Sequence, residues 1–240
     1  MISSRSMRNI DVCPTPELLH LYNLQNTVVV VVDVLRATSC MTVALAHGVK
    51  CILPVATLEE CRQLQMKGYL AAAERDAKKA EGFDLDNSPF SYMDASLEGK
   101  TIAMTTTNGT LAITKSREAV KVIIGCFLNL AAITQYLLNQ PYDVLVLCAG
   151  WKGKVNLEDT LYAGAVVETL QREFTINQDT ALMAQMLYKL GRKDLMGFLA
   201  SSSHVGRLHR LGIYQDINFC LQTDKFDVIP VLRGNSLVAL

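Results

Sequence analysis

Apolar positions gather in short blocks separated by polar turns, and the densest block is five consecutive valines, Val28 to Val32. Successive strand side chains point to opposite faces, so a strand apolar at every position is buried on both, as in the centre of a parallel sheet. Asp33 and Arg36 follow directly, and a helix-compatible run over 37–47 comes next, with Gly48 as its stop. Further apolar blocks predict strands at 50–54, 69–73, 101–104, 120–125 and 144–149. Helical patterns lie between them at 57–67, where Thr57 and Glu60 match a capping box, and at 109–116, 129–138 and 156–172. A short segment at 11–21, punctuated by Pro14 and Pro16, precedes the valines and suits the start of a helix from Glu17. This alternation predicts an α/β fold: a mostly parallel sheet with helices on both faces, in three layers.

Two stretches break the rhythm. Residues 76–100 form a long polar excursion, and a loop of that length is usually functional or disordered. Residues 178–212 carry helical periodicity only, followed by a late strand at 226–232. The C-terminal part is therefore expected to be helical and to form a second lobe or lid. The whole chain, 1–240, is expected to be a single catalytic unit, with lobes at 1–175 and 176–240.

Composition narrows the classes open to this chain. Half of its 240 residues are apolar, so core material is not limiting. Lys and Arg number 23 against 23 Asp and Glu, which leaves no electrostatic footprint for nucleic acid or an anionic membrane. Seven scattered cysteines with no Cys-x-x-Cys pair read as reduced thiols rather than a disulfide framework or zinc site. Residues 1–8 are polar and basic without a following apolar stretch, and no segment nears the ~20 apolar residues that span a bilayer. A soluble cytoplasmic protein is expected, with homo-oligomerisation left open.

In open parallel sheets ligands bind outside the carboxyl ends of strands, and three polar motifs occupy such positions here. Asp33 ends a strand expected to be buried, so its carboxylate must be paired, hydrogen-bonded or metal-bound. A salt bridge to Arg36 is the purely structural alternative. The second motif, Thr105-Thr106-Thr107-Asn108-Gly109-Thr110, suits an anion cradle leading into a helix. Asn-Gly also signals a hairpin, but 111–116 does not alternate as a return strand should. No Gly-Lys-Ser/Thr follows, so this is not a P-loop. The third motif runs from Cys148-Ala149-Gly150 to Asn156-Leu157-Glu158-Asp159. Asn156 could cap a helix with Asp159 as its partner three residues on, and at most one of Glu158 and Asp159 is expected to reach a metal. Taken singly, Arg36, Glu74, Arg75, His204 and Arg207 read as solvated surface.

Together these strings resemble the 2-phosphosulfolactate phosphatase family over about residues 28–230. The resemblance rests on Asp33-Val34-Leu35-Arg36-Ala37-Thr38, Glu74-Arg75, Gly82-Phe83-Asp84, Asn87-Ser88-Pro89, the threonine string, Gly125 with Asn129, Glu158-Asp159, Ser203-His204 and Asp216-Ile217. Ala73 and Val205 depart from it, standing where the family usually has glycine. It implies Mg²⁺-dependent hydrolysis of the phosphate monoester of 2-phosphosulfolactate, or a similar 2-phospho-acid, to sulfolactate and phosphate, as in coenzyme M biosynthesis. On that reading Asp33 with Glu158 or Asp159 binds Mg²⁺. Thr105, Thr106, Thr107, Asn108 and Gly109 hold phosphate together with Arg36. Arg75 or Arg207 holds a carboxylate or sulfonate, and His204 supplies the leaving-group proton. The expected partner is a small phosphorylated anion. A haloacid-dehalogenase-type phosphatase is disfavoured, because its second acid two residues after the first would be Leu35. The alternative is a non-catalytic anion-binding or regulatory protein that keeps the same fold. A single site requires Asp33 and Thr106 to lie well within ~20 Å of each other.

Overall fold

The computed structural model describes residues 7–240; residues 1–6, most of the polar start noted above, lie outside the described residues. The first half holds strands β1 (Arg8–Cys13), β2 (Thr27–Val32), β3 (Cys51–Pro54), β4 (Leu70–Arg75), β5 (Lys78–Lys79) and β6 (Thr101–Thr105). Helices α1 (Ala37–Ala46), α2 (Leu58–Met66) and α3 (Gly109–Lys115) connect or follow them. Next come β7 (Lys121–Gly125), α4 (Leu130–Leu138), β8 (Asp143–Cys148), α5 (Leu157–Leu170) and β9 (Phe174–Ile176). The tail carries α6 (Asp179–Gly191), α7 (Leu195–Leu199), α8 (Ser203–Arg210), α9 (Tyr214–Cys220), β10 (Pro230–Arg233) and β11 (Ser236–Ala239).

The eleven strands of the described residues join one open sheet, ordered β5-β4-β6-β3-β11-β10-β7-β2-β8-β1-β9. The valine strand β2 lies parallel between β7 and β8. Its side chains divide as the unbroken apolar run requires. Val28, Val30 and Val32 join one core with Leu161 and Val166 of α5, while Val29 and Val31 join another with Met41 and Val43 of α1. A smaller cluster seats Cys61 of α2 on Ala71, Ala73 and Ala103. The Thr57–Glu60 capping box opens α2, and Gly48 takes φ +84° just past α1.

The sheet is not uniform in polarity. Three antiparallel pairings, β7–β10, β10–β11 and β11–β3, separate two parallel groups. By that count β3, β6 and β4 run locally opposite to β7, β2 and β8. Right-handed twist of roughly 20–25° per strand accumulates over the five steps from β2 to β6. That twist turns the two groups toward each other, so that the carboxyl ends of β2 and β6 meet at one cleft.

Several sequence expectations need correction. Residues 11–13 belong to a strand, β1, that was not expected, and the helix expected from Glu17 is a short 3₁₀ helix over Pro16–Leu21 rather than an α-helix. The late strand is shifted to Pro230–Arg233 and paired with a second, β11, through a turn at Gly234-Asn235. The tail is helical through α9 but is not set apart. Val205, Leu208, Ile217 and Cys220 share a core with Val30, and its hairpin occupies the middle of the sheet. The excursion at 76–100 is ordered, with Tyr92 fully buried and its hydroxyl donating to the Asp86 carbonyl at 2.7 Å. Among the described residues no helix is long and apolar enough to cross a membrane.

Candidate active site

Asp33 stands where β2 ends and is 7% exposed. The Thr38 hydroxyl fixes the turn by accepting from the Asp33 N–H at 3.0 Å and donating to its carbonyl at 2.8 Å. Burial pushes the Asp33 carboxyl up to about 6; His204 and the Ala37 N–H oppose the rise, and Glu74 and Glu158 add to it. Arg36 does not neutralise it. The Arg36 guanidinium pairs with Asp216 of α9 and donates to the Ala77 carbonyl at 3.2 Å, while Asp216 also accepts from Ser88 Oγ at 3.1 Å. The structural alternative for Asp33, a salt bridge to Arg36, is therefore not formed.

The threonine string enters a helix rather than a hairpin, since α3 begins at Gly109. Thr106 and Thr110 exchange hydrogen bonds of 3.2 and 3.3 Å, each accepting at its hydroxyl from the other's N–H. Thr107 donates from both N–H and Oγ1 to Glu74 Oε2, at 3.4 and 3.2 Å. Asn108 accepts the Lys152 N–H at 3.1 Å. A Cβ on Gly109 would lie 2.8 Å from Ala37 Cβ, 3.0 Å from Asp33 Oδ2 and 3.4 Å from Thr106 Oγ1. Asp33 and Thr106 thus flank one point, far inside the ~20 Å limit of a single site. Gly109→Ala is expected to cost about 1–3 kcal/mol of stability through overpacking and to lower activity, because the Asp33 carboxylate must move. Urea unfolding and kcat/KM measured on the same preparation check this.

The acidic pair on α5 divides its work. Both Asp159 oxygens accept backbone N–H groups, from Val34 at 2.9 Å and Gly150 at 3.1 Å, which ties together the loops after β2 and β8. Burial holds its carboxyl well above the usual range, and the charges of Glu158 and Asp33 add to the effect. Asp159 therefore does not cap its own helix, and the Asn156 side chain, expected as the cap, makes no capping bond. Glu158 is fully buried, with Oε1 bonded to His204 Nδ1 and Oε2 left without a partner.

A narrow cleft is lined among others by Asp33, Arg36, Glu74, Thr107, His204 and Arg207. Asn108, Asn87 and Trp151 also line it. Glu158 and Asp159 are fully buried and do not line it, Glu158 being joined to it through His204. The Arg207 guanidinium lies 4.4 Å from the centre of the Trp151 ring. Arg75 lies elsewhere: it donates to Thr105 Oγ1 at 3.2 Å and to the Glu74 carbonyl, bracing the loop without lining the cleft. Thr105 and Thr106 are buried beneath the cleft, whereas Thr107 and Asn108 face it. A wider groove along 16–25 contains none of these residues. Sequence reading missed roles for Glu74, Asn87, Trp151 and Asp216. Arg36, Glu74 and His204 are buried rather than solvated surface, each held by a polar partner. Glu74 carried a signal, as a carboxylate at the end of a third strand, but nothing in the local pattern links Asp216 to Arg36.

Carboxylates, hydroxyls and a buried guanidinium converging on strand ends define an α/β protein with a polar, charged cleft at the ends of its strands. The chain belongs to the 2-phosphosulfolactate phosphatase family, whose sequence profile, described as 2-phosphosulpholactate phosphatase, matches residues 13–235. A probable 2-phosphosulfolactate phosphatase of Caldanaerobacter subterraneus is 42% identical over 217 residues, covering 88% of this chain and 90% of that one. One of the same name from Pseudothermotoga lettingae is 41% identical over 223 residues, covering 92% and 95%. Another from Clostridium beijerinckii is 34% identical over 221 residues, covering 89% and 92%.

Proposed function

We propose that this chain hydrolyses the phosphate monoester of 2-phosphosulfolactate, or of a 2-phospho-acid of the same shape, to sulfolactate and phosphate with the aid of Mg²⁺. The observation that carries this reading is the meeting of Asp33, the threonine loop, Arg36 and His204 at one cleft. The residues fit Mg²⁺. Asp33 and Glu158 offer hard carboxylate oxygens, and Glu158 Oε2 is a buried acceptor with no partner. Among the described residues no three potential ligands form a complete cage. Mg²⁺ needs only one or two carboxylates when waters and substrate phosphate fill the remaining positions. When bound, the ion offsets charge on the phosphoryl oxygens. Asp159 is committed to two backbone N–H groups, so Glu158 is the better second ligand.

The remaining roles belong to the side chains. Thr107 and Asn108 meet phosphate oxygens at the loop, and the donors of Arg36 not used by Asp216 and Ala77 face the same charge. Glu158 holds His204 through Nδ1, so Nε2 carries the exchangeable site and can protonate the departing alkoxide, a poor leaving group without an acid. The Arg207 side chain makes no hydrogen bond or ion pair among the described residues, and it rests on Trp151 beside the cleft. Its fork suits the sulfonate or carboxylate of the substrate. Arg75 supports the loop instead.

Phosphate release from 2-phosphosulfolactate, other 2-phospho-acids and p-nitrophenyl phosphate, with Mg²⁺ and with EDTA, tests this reading. Turnover of none of them in Mg²⁺ would favour the non-catalytic anion-binding alternative. Arg207→Ala is expected to lower kcat/KM for 2-phosphosulfolactate by roughly 10–100-fold, the worth of one charge-assisted clamp. Hydrolysis of p-nitrophenyl phosphate should stay nearly unchanged. Equal losses on both substrates would remove Arg207 from the clamp role.

A further inference from the structure

Helix α6 is apolar on the side that should be polar. Its inner face, with Ala181, Ala184, Gln185 and Gly191 buried, packs on α5. There a Cβ on Gly164 would lie 1.9 Å from the Ala184 carbonyl oxygen, so the two backbones are in direct contact. A helix already packed on one face ordinarily presents charged and polar residues on the other. Here the outer face presents Leu182, Met183, Met186 and Leu190, which are 40%, 60%, 54% and 75% exposed. At 3.6 residues per turn, Leu182 and Leu190 flank Met186 at about 40° on either side, opposite the buried face. These four make one stripe along the helix.

The charges around the stripe are symmetric about the same residue. Asp179 stands seven residues before Met186 and Lys193 seven after. Neither makes an ion pair among the described residues, whereas the neighbouring Lys189 and Arg192 both engage Glu168 of α5, at 3.1 and 4.0 Å. Nothing within the described part of the chain covers the stripe. Residues 1–6 read Met-Ile-Ser-Ser-Arg-Ser and offer two apolar side chains for four.

We infer that a second copy of the chain docks here, α6 against α6 and antiparallel, about a two-fold axis passing Met186. Such an isologous contact brings each patch against itself. In this register Leu182 of each copy meets Leu190 of the other, Met186 meets Met186, and Asp179 of each copy faces Lys193 of the other. The Leu182–Met186–Leu190 row is an i±4 ridge, the element that interdigitates in the commonest helix-packing class. One helix pair sits at the low end of stable interface sizes, so association in the micromolar range is expected. The cleft lies on other elements, and each copy keeps a complete one.

Sedimentation velocity on the full chain over roughly 1–200 μM tests the proposal. The wild type should pass from monomer to dimer. Met186→Glu, which sets two carboxylates against each other at the axis, should raise the dissociation constant at least about 100-fold with circular dichroism and phosphatase activity unchanged. Asp179→Lys should weaken the dimer, and Asp179→Lys with Lys193→Asp should restore it, a rescue that only the antiparallel register explains. Met186→Cys should form a disulfide-linked dimer under mild oxidation that the wild type does not form. A wild type still monomeric at the highest concentration overturns the inference. A dimer indifferent to Met186→Glu, or a charge swap without rescue, does the same.

Discussion

Asp33→Asn is expected to lower kcat/KM by roughly a thousandfold or more while making the metal-free protein more stable. The activity loss follows if the carboxylate holds the metal, because the amide keeps the shape and removes the charge. The gain in stability follows from the same burial. The Asp33 carboxyl is raised from 3.8 to about 6 in the folded protein, so the folded state favours its protonated form. That contribution is fully present below pH ~4 and is lost as pH rises through ~6, leaving a charged and buried group at neutral pH. A shift of about two units corresponds to roughly 3 kcal/mol. Urea midpoints in EDTA at pH 4, 5, 6 and 7 should show the two proteins converging in acid and the variant ahead at pH 7. Asp11 is also raised, but by causes that do not involve Asp33, so it cancels in the difference. Asp159 is raised in part by the Asp33 charge, so its carboxyl is relieved in the variant and adds to the variant's lead at neutral pH. Parallel curves would remove Asp33 as the titrating group, and normal turnover by a folded variant would make it structural.

The second large effect belongs to a residue far from Arg36 in sequence. Arg36 and Asp216 are 5% and 8% exposed, and breaking a buried ion pair from one side leaves an uncompensated charge worth about 3–5 kcal/mol. Asp216→Ala is therefore expected to lower Tm by roughly 6–20 °C, at about 2–4 °C per kcal/mol for a chain of this size. It should also slow hydrolysis of every phosphate ester, because Arg36 loses the anchor that aims it. Replacing both partners with apolar residues, Arg36→Met with Asp216→Leu, should recover most of the stability and none of the activity. A double variant that recovers turnover would place Arg36 outside the chemistry, and an Asp216→Ala protein as stable as wild type would make the pair ornamental.

How much of this could be read from the chain depends on how local each cause is. Five valines followed by Asp33 announce a central strand and a buried carboxylate, because period and burial are properties of neighbouring residues. The Thr57–Glu60 cap and the helical reading of the threonine string were legible for the same reason. β1 was not, since Arg8 to Cys13 interleaves polar residues and Pro14 draws attention to the turn beyond it. β9 has three residues, too few to show a period. The reversal of polarity across β10–β11 depends on which strands become neighbours, and no window of sequence contains that. The Arg36–Asp216 pair and the Glu158–His204 contact are likewise tertiary. Sequence could name an acidic pair on α5, but only packing shows that Asp159 staples two loops while Glu158 turns toward the histidine.

The position of the β10–β11 hairpin bears on how the chain is made. A ribosome releases residues 230–239 after all the other strands described here, yet they fill the gap between β7 and β3. Until then the nascent protein holds two separate parallel half-sheets, each with an inner edge whose N–H and C=O groups have no strand to meet. Unpaired edges of that kind recruit other chains. Vectorial synthesis therefore leaves the molecule most prone to sticking in the interval before residues 230–239 arrive. Those residues act as a keystone: the cleft, whose walls come from β2 on one side of the hairpin and β6 on the other, closes only when they are in place.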